Sequence, residues 1–279
     1  MVFVKQIGKG GLGIVQLYKH ERSGNLYAVK RMQCAWDNNH FERFVREIKL
    51  MANLVHKNIM KILKHDIENT SPYYIMPFYK EGSLRDRLND MSGKGKVFSQ
   101  EAAASIIFVL AEALAYSHKK GAIHRDLKPE NIMFEGREPI IADWGLGKFI
   151  HRESKVLTGA GLGTPLYCAP EQWNYGKADA RSDIYSLGRI FNELLTGNIF
   201  GHVANDRLRA IIKKMTRENP NERYQNMDEV IVAIKNLHVV NEEAPMDAFW
   251  EGLLIAGAAI VAAAAIAGLL AWAFGDNSN

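Results

Sequence analysis

The hydrophobic pattern at the start of the chain predicts a short antiparallel meander. Three runs with strand-like alternation are separated by glycine-containing turns: Phe3–Ile7, Ile14–Lys19 and Leu26–Arg31. A fourth such run, Tyr73–Phe78, follows later in the chain. This part of the sequence therefore predicts a small β-rich lobe.

Helical periodicity begins after the third run and dominates the rest of the chain. Between His40 and Asn53, apolar residues recur every three or four positions and charged residues fill the opposite face. Ser99 is placed to cap a helix that runs to about His118. Later helices are predicted over about Arg181–Leu195, Asp206–Thr216 and Met227–Leu237. The pattern predicts an α+β protein in which the β-rich lobe precedes a larger helical lobe.

The C-terminal segment has a different pattern, because the 22 residues Leu253–Phe274 carry no charge. As a helix they would span about 33 Å, enough to cross a hydrocarbon core of about 30 Å. We predict a transmembrane helix over 251–274, joined to the body by a linker at 239–250 and followed by a short tail, 275–279. An alanine-rich helix buried in the protein core is the alternative, but such a helix needs cover on every face.

Composition and charge narrow the class of protein. The 279 residues are 47% hydrophobic and 24% charged, which excludes a disordered or collagen-like chain. The last basic residue is Lys235 and five acidic residues follow it, so the net charge of +4 becomes +9 over the first 240 residues. Scattered lysines usually form a solvated surface, and we do not expect a nucleic-acid partner. The two cysteines, Cys34 and Cys168, match no metal or redox spacing and suit a reducing cytoplasm.

Glycine residues cluster between the first two strand-like runs, in the segment Gly8-Lys9-Gly10-Gly11-Leu12-Gly13-Ile14-Val15. Because glycine has no Cβ, the backbone of such a hairpin can approach phosphate groups closely, while Val15 can cover a base. A dinucleotide-binding fingerprint is excluded, since a strand rather than a helix follows. Taken alone, the segment is equally well explained as a flexible hairpin.

Lys30 alternates with apolar neighbours on the third run, within Ala28-Val29-Lys30. A lysine pointing into one face of a sheet needs an anion, and Glu47 on the following helix can supply it. If these two residues stood alone, a surface ion pair would be the preferred explanation.

The segment His124-Arg-Asp126-Leu-Lys128-Pro-Glu-Asn131 is followed, twelve residues after Asn131, by Asp143-Trp-Gly145. In this order and spacing the chain resembles the Hanks-type serine/threonine protein kinases over residues 1 to about 238. Oxygen donors from Asn131 and Asp143 suit Mg²⁺. Asp126 remains available to accept the proton of a substrate hydroxyl, and Lys128 to stabilise the transferred phosphate.

The resemblance implies a bilobal protein-kinase fold with an N-terminal lobe at 1–76, a hinge at 77–80 and a C-terminal lobe at 81–238. It implies that Lys30 binds the α- and β-phosphates of ATP and that Glu47 positions Lys30. The residues it assigns to nucleotide binding are Ile7, Gly8, Lys9, Gly10, Gly11, Gly13, Val15, Ala28, Lys30, Met76 as gatekeeper, Pro77, Tyr79 and Met133.

The resemblance extends to the segment Gly163–Glu171, which is similar to the end of a kinase activation loop. It implies that Glu171 pairs with Arg223, that Asp183 supports the catalytic loop, and that Thr164 contacts the catalytic residues. Ser154 and Thr158 are candidate phosphorylation sites, because a phosphate there could pair with Arg125 and order the loop. Solvated loop hydroxyls are the alternative.

Three features depart from the usual pattern of the family. Trp144 replaces the common phenylalanine, and Pro77 occupies a hinge position often held by an acid but keeps its carbonyl oxygen. Only ten residues separate Gly197 from Leu208, where the family has a longer substrate-docking stretch. This shortening bears on the choice of peptide substrate rather than on phosphoryl transfer.

The expected function is transfer of the γ-phosphoryl group of ATP, with Mg²⁺, to Ser or Thr hydroxyls of proteins, including the chain's own. A pseudokinase scaffold and a small-molecule phosphotransferase are the alternatives. We expect a C-terminal membrane anchor with the kinase body in the cytoplasm. A stripe of alanines, Ala259, Ala263, Ala267 and Ala271, suits either a homodimer of the anchor or a lipid-facing helix.

Overall fold

The computed structural model divides the chain into two compact units, Met1–Val240 and Asn241–Asn279. It describes residues 1–10, 13–32, 38–69, 71–144 and 166–237, all of which belong to the first unit. Within these residues no helix is both long enough and apolar enough to span a bilayer. The predicted linker, transmembrane helix and tail lie outside the described residues.

A five-stranded antiparallel sheet forms the N-terminal part of the first unit. Its strands are β1 (Val2–Gly10), β2 (Gly13–Lys19), β3 (Leu26–Met32), β4 (Lys64–Asp66) and β5 (Tyr73–Pro77). Their order in the sheet is β1-β2-β3-β5-β4. The meander and the strand at Tyr73 are therefore confirmed.

Helix α1 (Asn38–Ala52) follows β3 and confirms the helix predicted there. Phe44, Ile48 and Met51 are buried at helical spacing on one face of α1. The ring of Phe44 lies 5.7 Å from that of Tyr74 on β5, measured between centroids. Glu47 lies between these apolar residues in the sequence and is itself fully buried.

The C-terminal part of the unit is helical, apart from a two-stranded sheet of β6 (Ile132–Glu135) and β7 (Glu138–Ile141). Its helices are α2 (Leu84–Gly93), α3 (Gln100–Lys119), α4 (Pro170–Tyr175), α5 (Ala180–Thr196), α6 (Asp206–Met215) and α7 (Met227–Lys235). Helix α3 begins at its predicted cap, since Ser99 Oγ accepts a hydrogen bond from Ala102 N. It packs against α5 and α7, and most of its side chains are buried.

The pattern did not predict five elements, all of them short or largely polar: α2, α4, β4, β6 and β7. The two residues that α2 buries within its length are Leu84 and Leu88, so its apolar stripe is too narrow to stand out. A capping box at Ser83 and Asp86 starts this helix, which extends to Gly93. Strands β6 and β7 have only four residues each, below the length at which alternation is distinctive.

Candidate active site

The β3–β5 and β2–β3 registers place Lys30 at the centre of a charged cluster. Lys30 lies opposite Val15 on β2 and opposite Tyr74 on β5. Its Nζ donates to Glu47 Oε1 at 2.7 Å and to Asp143 Oδ1 at 2.9 Å. The ammonium group thus connects the sheet, helix α1 and the segment after β7.

Burial and charge act against each other in this cluster. Burial alone would lower the pKa of Lys30, but neighbouring acidic groups, among them Glu47 and Asp143, outweigh it and hold that pKa well above its usual value. Burial raises the pKa of Glu47, and contact with Lys30 counteracts this rise. The direct contact between the Lys30 ammonium group and the Glu47 carboxylate favours the charged form of each.

Asp126 is held by two neighbours in the same loop. Asn131 Nδ2 donates to the main-chain oxygen of Asp126 at 2.8 Å and to its Oδ2 at 3.1 Å. Lys128 Nζ lies 3.2 Å from the same Oδ2. Asp126 thus has a fixed orientation beside a cation, the arrangement expected of a base that receives a proton next to a transferring anion.

The backbone is strained in the loop before β6 and again just after β7, and the loop before β6 is supported from helix α5. Arg125 and Asp143 have positive φ angles of 67° and 53°, which are uncommon for residues other than glycine. The buried carboxylate of Asp183 accepts hydrogen bonds from His124 N at 2.8 Å and Arg125 N at 2.9 Å. Burial alone would raise the pKa of Asp183, but hydrogen bonding by His118 and His124 lowers it. The predicted support of the loop by Asp183 is confirmed.

The β6–β7 hairpin brings the two predicted metal ligands close together. Asn131 immediately precedes β6, Asp143 lies two residues after β7, and Ala142 N donates to Asn131 O at 2.8 Å. Because the amide nitrogen of Asn131 is engaged by Asp126, its carbonyl oxygen remains for a cation. The described residues contain no group of three or more His, Cys, Asp or Glu side chains that could hold a metal. One carboxylate and one amide fit Mg²⁺ that also binds phosphate oxygens and water.

The predicted nucleotide-binding residues line adjacent strands. Gly8 pairs with Val15 across β1 and β2, and Ala28 pairs with Met76 across β3 and β5. The remaining positions are Ile7, Lys9 and Gly10 on β1, Gly13 on β2, Pro77 at the end of β5, Tyr79 just after it, and Met133 on β6. Gly11 lies outside the described residues. The nucleotide-binding roles stay predictions.

Gly13 has a structural role that the sequence analysis did not anticipate. A Cβ at this position would lie 2.3 Å from the main-chain oxygen of Arg31, whereas a Cβ at Gly8 would make only ordinary contact with Val15. Gly13 is therefore required for the close approach of β2 to β3, independently of any phosphate.

Comparison with known proteins agrees with this geometry. The family described as "protein kinase domain" matches residues 1–244, most of the chain. The chain belongs to the protein kinase family.

Individual protein kinases are similar to this chain at moderate sequence identity. The chain is 32% identical over 264 residues to the serine/threonine-protein kinase PknB of Mycobacterium leprae, covering 83% of this chain and 42% of that protein. It is 32% identical over 242 residues to an Aurora kinase of Schizosaccharomyces pombe, covering 78% and 66% of the two chains. The chain therefore spans less than half the length of its PknB relative.

The crystal structure of the Mycobacterium tuberculosis PknI kinase domain superimposes with a TM-score of 0.64. The match covers 84% of this chain and 94% of that domain at 22% identity, a level that speaks to the fold alone. The bilobal kinase fold is thus confirmed.

The tryptophan that replaces the common phenylalanine of the kinase triplet packs as a buried core residue. Trp144 is 1% exposed, and its ring lies 4.9 Å from that of His124. His124 in turn bonds the main-chain oxygen of Ala142 through Nε2 at 3.0 Å. The larger aromatic ring therefore packs directly against the catalytic loop.

The predicted ion pair at the end of the activation segment is confirmed. Arg223 Nη1 and Nη2 each donate to one carboxylate oxygen of Glu171, both at 2.8 Å. The Arg223 side chain is fully buried and that of Glu171 is 15% exposed. Gln172 Nε2 donates to Arg125 O at 2.6 Å, which ties helix α4 to the catalytic loop. Ser154, Thr158 and Thr164 lie outside the described residues.

Sequence reasoning missed a second ionic group on the C-terminal side of the site. Arg85, in the first turn of α2, donates to Glu130 Oε1 at 2.8 Å and to Glu193 Oε1 at 2.7 Å. It also donates to the hydroxyl of Tyr167, which donates to Glu193. Burial alone would lower the pKa of Arg85, but its hydrogen bonds to Glu193 and Glu130 raise it. No local spacing indicated this group, because its members come from four separate segments.

Proposed function

We propose that the chain is an ATP- and Mg²⁺-dependent serine/threonine protein kinase that also phosphorylates itself. One observation carries this proposal: Lys30 is paired with Glu47 and Asp143 while Asp126 is held by Asn131 and Lys128. The groups that bind phosphate and the group that receives the proton are thus both in position in the same structure.

Each residue of the chain has a distinct part in this reaction. The Lys30 ammonium group binds the α- and β-phosphates, and Glu47 keeps that ammonium group in place. Asp126 accepts the proton of the acceptor hydroxyl, while Lys128, within ion-pair distance of Asp126, stabilises negative charge on the transferred group.

Asn131 and Asp143 would hold the metal, as their donor atoms and closeness through the β6–β7 hairpin suggest. When bound, Mg²⁺ supplies charge neutralisation of the phosphate oxygens. The Lys30–Asp143 contact keeps the Asp143 carboxylate next to the phosphate-binding ammonium group.

The acceptor class follows from two observations. Lys128 lies two residues after the base, the position at which serine/threonine kinases carry a lysine. Among the relatives, PknB proteins are described as serine/threonine-protein kinases. Proteins with exposed Ser or Thr are therefore the proposed substrates.

The two alternatives are less well supported. A pseudokinase scaffold would be expected to lack one of Lys30, Asp126, Asn131 or Asp143, and all four are present. A small-molecule phosphotransferase would generally lack the Ala169-Pro170-Glu171 segment, which here is anchored by Arg223.

We also propose that 251–274 anchors the kinase in the membrane as a single C-terminal helix, with the kinase body in the cytoplasm. The support is the uncharged run of 22 residues, together with the location of ATP in the cytoplasm. The lipid bilayer is thus a proposed partner, and a homodimer through the alanine stripe at Ala259–Ala271 is a further proposal.

The direct test incubates the purified chain with γ-labelled ATP and Mg²⁺ and maps the labelled residues by mass spectrometry. We expect label on Ser or Thr in the wild type and its loss in Lys30→Ala. Exposed Lys64→Ala provides a matched control, because Lys64 lies on the edge strand β4. Label confined to Tyr, or undiminished label in Lys30→Ala, would contradict the proposal.

A further inference from the structure

Tyr74 lies on the core side of β5, directly opposite Lys30 of β3. Its side chain is 1% exposed. The hydroxyl of Tyr74 donates to Glu47 Oε1 at 2.8 Å, and Lys30 Nζ donates to the same oxygen at 2.7 Å. Glu47 is thus held by donors from two neighbouring strands.

The tyrosine hydroxyl is not needed for packing. The ring of Tyr74 stacks on Phe44 at 5.7 Å, a contact that a phenylalanine would make equally well. A buried hydroxyl is costly unless it has a hydrogen-bond partner, and its partner here is the carboxylate that orients Lys30. The hydroxyl therefore helps to hold the Glu47 carboxylate in position.

We propose that Tyr74 is a positioning residue for nucleotide binding, which holds Glu47 in place independently of Lys30. This inference rests on the proposed kinase function. An ammonium group has three donor hydrogens, and Lys30 uses two of them on Glu47 and Asp143 before any phosphate arrives. When Lys30 turns to the phosphates, the bond from Tyr74 keeps the Glu47 carboxylate, and with it helix α1, against the sheet.

The hydrogen bond from Tyr74 is important because the Glu47 carboxylate has few other hydrogen bonds. Its Oε2 is buried and has no hydrogen-bond partner in the structure as described, so the carboxylate is held through Oε1. Burial raises the pKa of Tyr74 well above its usual value, so the hydroxyl keeps its proton and donates at physiological pH. Without the hydroxyl, Lys30 is the one remaining donor to Glu47 among the described residues.

The test compares the full-length wild type with Tyr74→Phe, using binding of methylanthraniloyl-ATP with Mg²⁺ and autophosphorylation at varied ATP. We expect Tyr74→Phe to raise the dissociation constant of the analogue and the KM for ATP about tenfold. The rate at saturating ATP should fall less than threefold, since the residues around Asp126 are untouched. Equal loss of rate at all ATP concentrations would overturn the inference.

Tyr73→Phe is the matched control, because it removes a hydroxyl from the adjacent residue of the same strand. Tyr73 contacts Arg31 through its ring, 4.8 Å from the guanidinium carbon. This variant should bind the analogue within twofold of the wild type. A loss in Tyr73→Phe equal to that in Tyr74→Phe would show general damage to the strand and overturn the inference.

A second background tests whether Tyr74 acts through Glu47. In Glu47→Leu, whose side chain has no acceptor for the Tyr74 hydroxyl, adding Tyr74→Phe should change analogue binding by less than twofold, whereas a full tenfold change there would contradict the inference. If Tyr74→Phe does not fold, Tyr74→Met supplies a second variant without a hydroxyl.

An inactive wild type that binds the analogue would count against the proposed function, while Tyr74→Phe binding like the wild type would count against this inference.

Discussion

At the scale of single residues, the active site combines unfavourable conformations with dense hydrogen bonding. The positive φ angles of Arg125 and Asp143 each cost about 1–3 kcal/mol. Such conformations persist only when surrounding groups enforce them. Asp183 enforces the conformation of Arg125 by accepting a hydrogen bond from Arg125 N. Gln172 adds a bond to the carbonyl of Arg125. The loop that carries Asp126 is thus fixed from α4 and α5.

The buried pair of Arg223 and Glu171 gives a stability prediction. Arg223→Ala leaves the Glu171 carboxylate without its main partner, and we expect unfolding free energy to fall by about 3 kcal/mol. Arg217→Ala is the control: Arg217 lies 3.9 Å from Glu222 in an exposed pair, so its loss should cost less than about 1 kcal/mol. Urea denaturation measures both, and similar losses would contradict the assignment.

The same pair predicts a dependence on pH. Burial alone would raise the pKa of Glu171, but hydrogen bonds from Arg223 and Ser182 lower it below its usual value of 4.5. A carboxylate with a lowered pKa stabilises the fold at neutral pH, and this contribution disappears as the pH falls below the unfolded-state pKa and through the folded one. The stability difference between wild type and Glu171→Gln should therefore shrink below about pH 4.5. A difference that stays constant down to pH 3 would contradict this explanation.

At the scale of secondary-structure elements, the pairing register of the strands determines which residues lie next to Lys30. The β2–β3 register sets Lys30 opposite Val15, and the β3–β5 register sets it opposite Tyr74. A shift by one residue would turn Lys30 to the other face of the sheet. Within the β2–β3 pair, the strands approach closely at Gly13, where a Cβ would overlap the main-chain oxygen of Arg31.

Gly13→Ala should therefore destabilise the sheet. Its Cβ would overlap the main-chain oxygen of Arg31, and we expect unfolding free energy to fall by about 2 kcal/mol. Gly8→Ala, whose Cβ has room beside Val15, should change unfolding free energy by less than about 1 kcal/mol. Thermal unfolding of the two variants measures this difference in stability, and equal stabilities would contradict the steric explanation.

Prediction from sequence succeeded where elements are long or where the family resemblance pairs particular residues. The meander, α1 and α3 follow from periodicity, and the Lys30–Glu47 and Glu171–Arg223 pairs follow from the resemblance. The Tyr74–Glu47 bond could not be predicted, because it depends on a register that periodicity leaves undetermined. The Arg85 group depends on a contact between Arg85 of α2 and Glu193 of α5, which are far apart in the sequence, and α2 itself has too few apolar residues to be recognised.

At the scale of the whole molecule, the described kinase body has its own core. The unit Met1–Val240 contains both the sheet with α1 and the helices packed around α3. Large side chains such as Phe134, Phe191 and Leu114 are fully buried within it. The boundary of this unit at residue 240 lies within the predicted linker, 239–250.

Truncation after residue 240 tests this separation. We expect the shortened chain to remain folded and to autophosphorylate, whereas the full chain should partition into membranes. Full-length Ala263→Arg/Ala267→Arg is the control, because each arginine near the centre of a bilayer costs about 3 kcal/mol and should prevent insertion. Sedimentation with liposomes gives the readout, and full-length chain that remains in the supernatant would contradict the anchor.

The central claim is that Lys30, positioned by Glu47, binds the nucleotide while Asp126 serves the chemical step. The most direct measurement is single-turnover phosphate transfer from γ-labelled ATP by wild type and Asp126→Asn, with methylanthraniloyl-ATP binding measured on the same samples. Removing a positioned base should slow transfer by about 100-fold or more. The binding constant should stay within threefold of the wild-type value. Transfer by Asp126→Asn at the wild-type rate, or loss of transfer explained entirely by loss of binding, would contradict the claim.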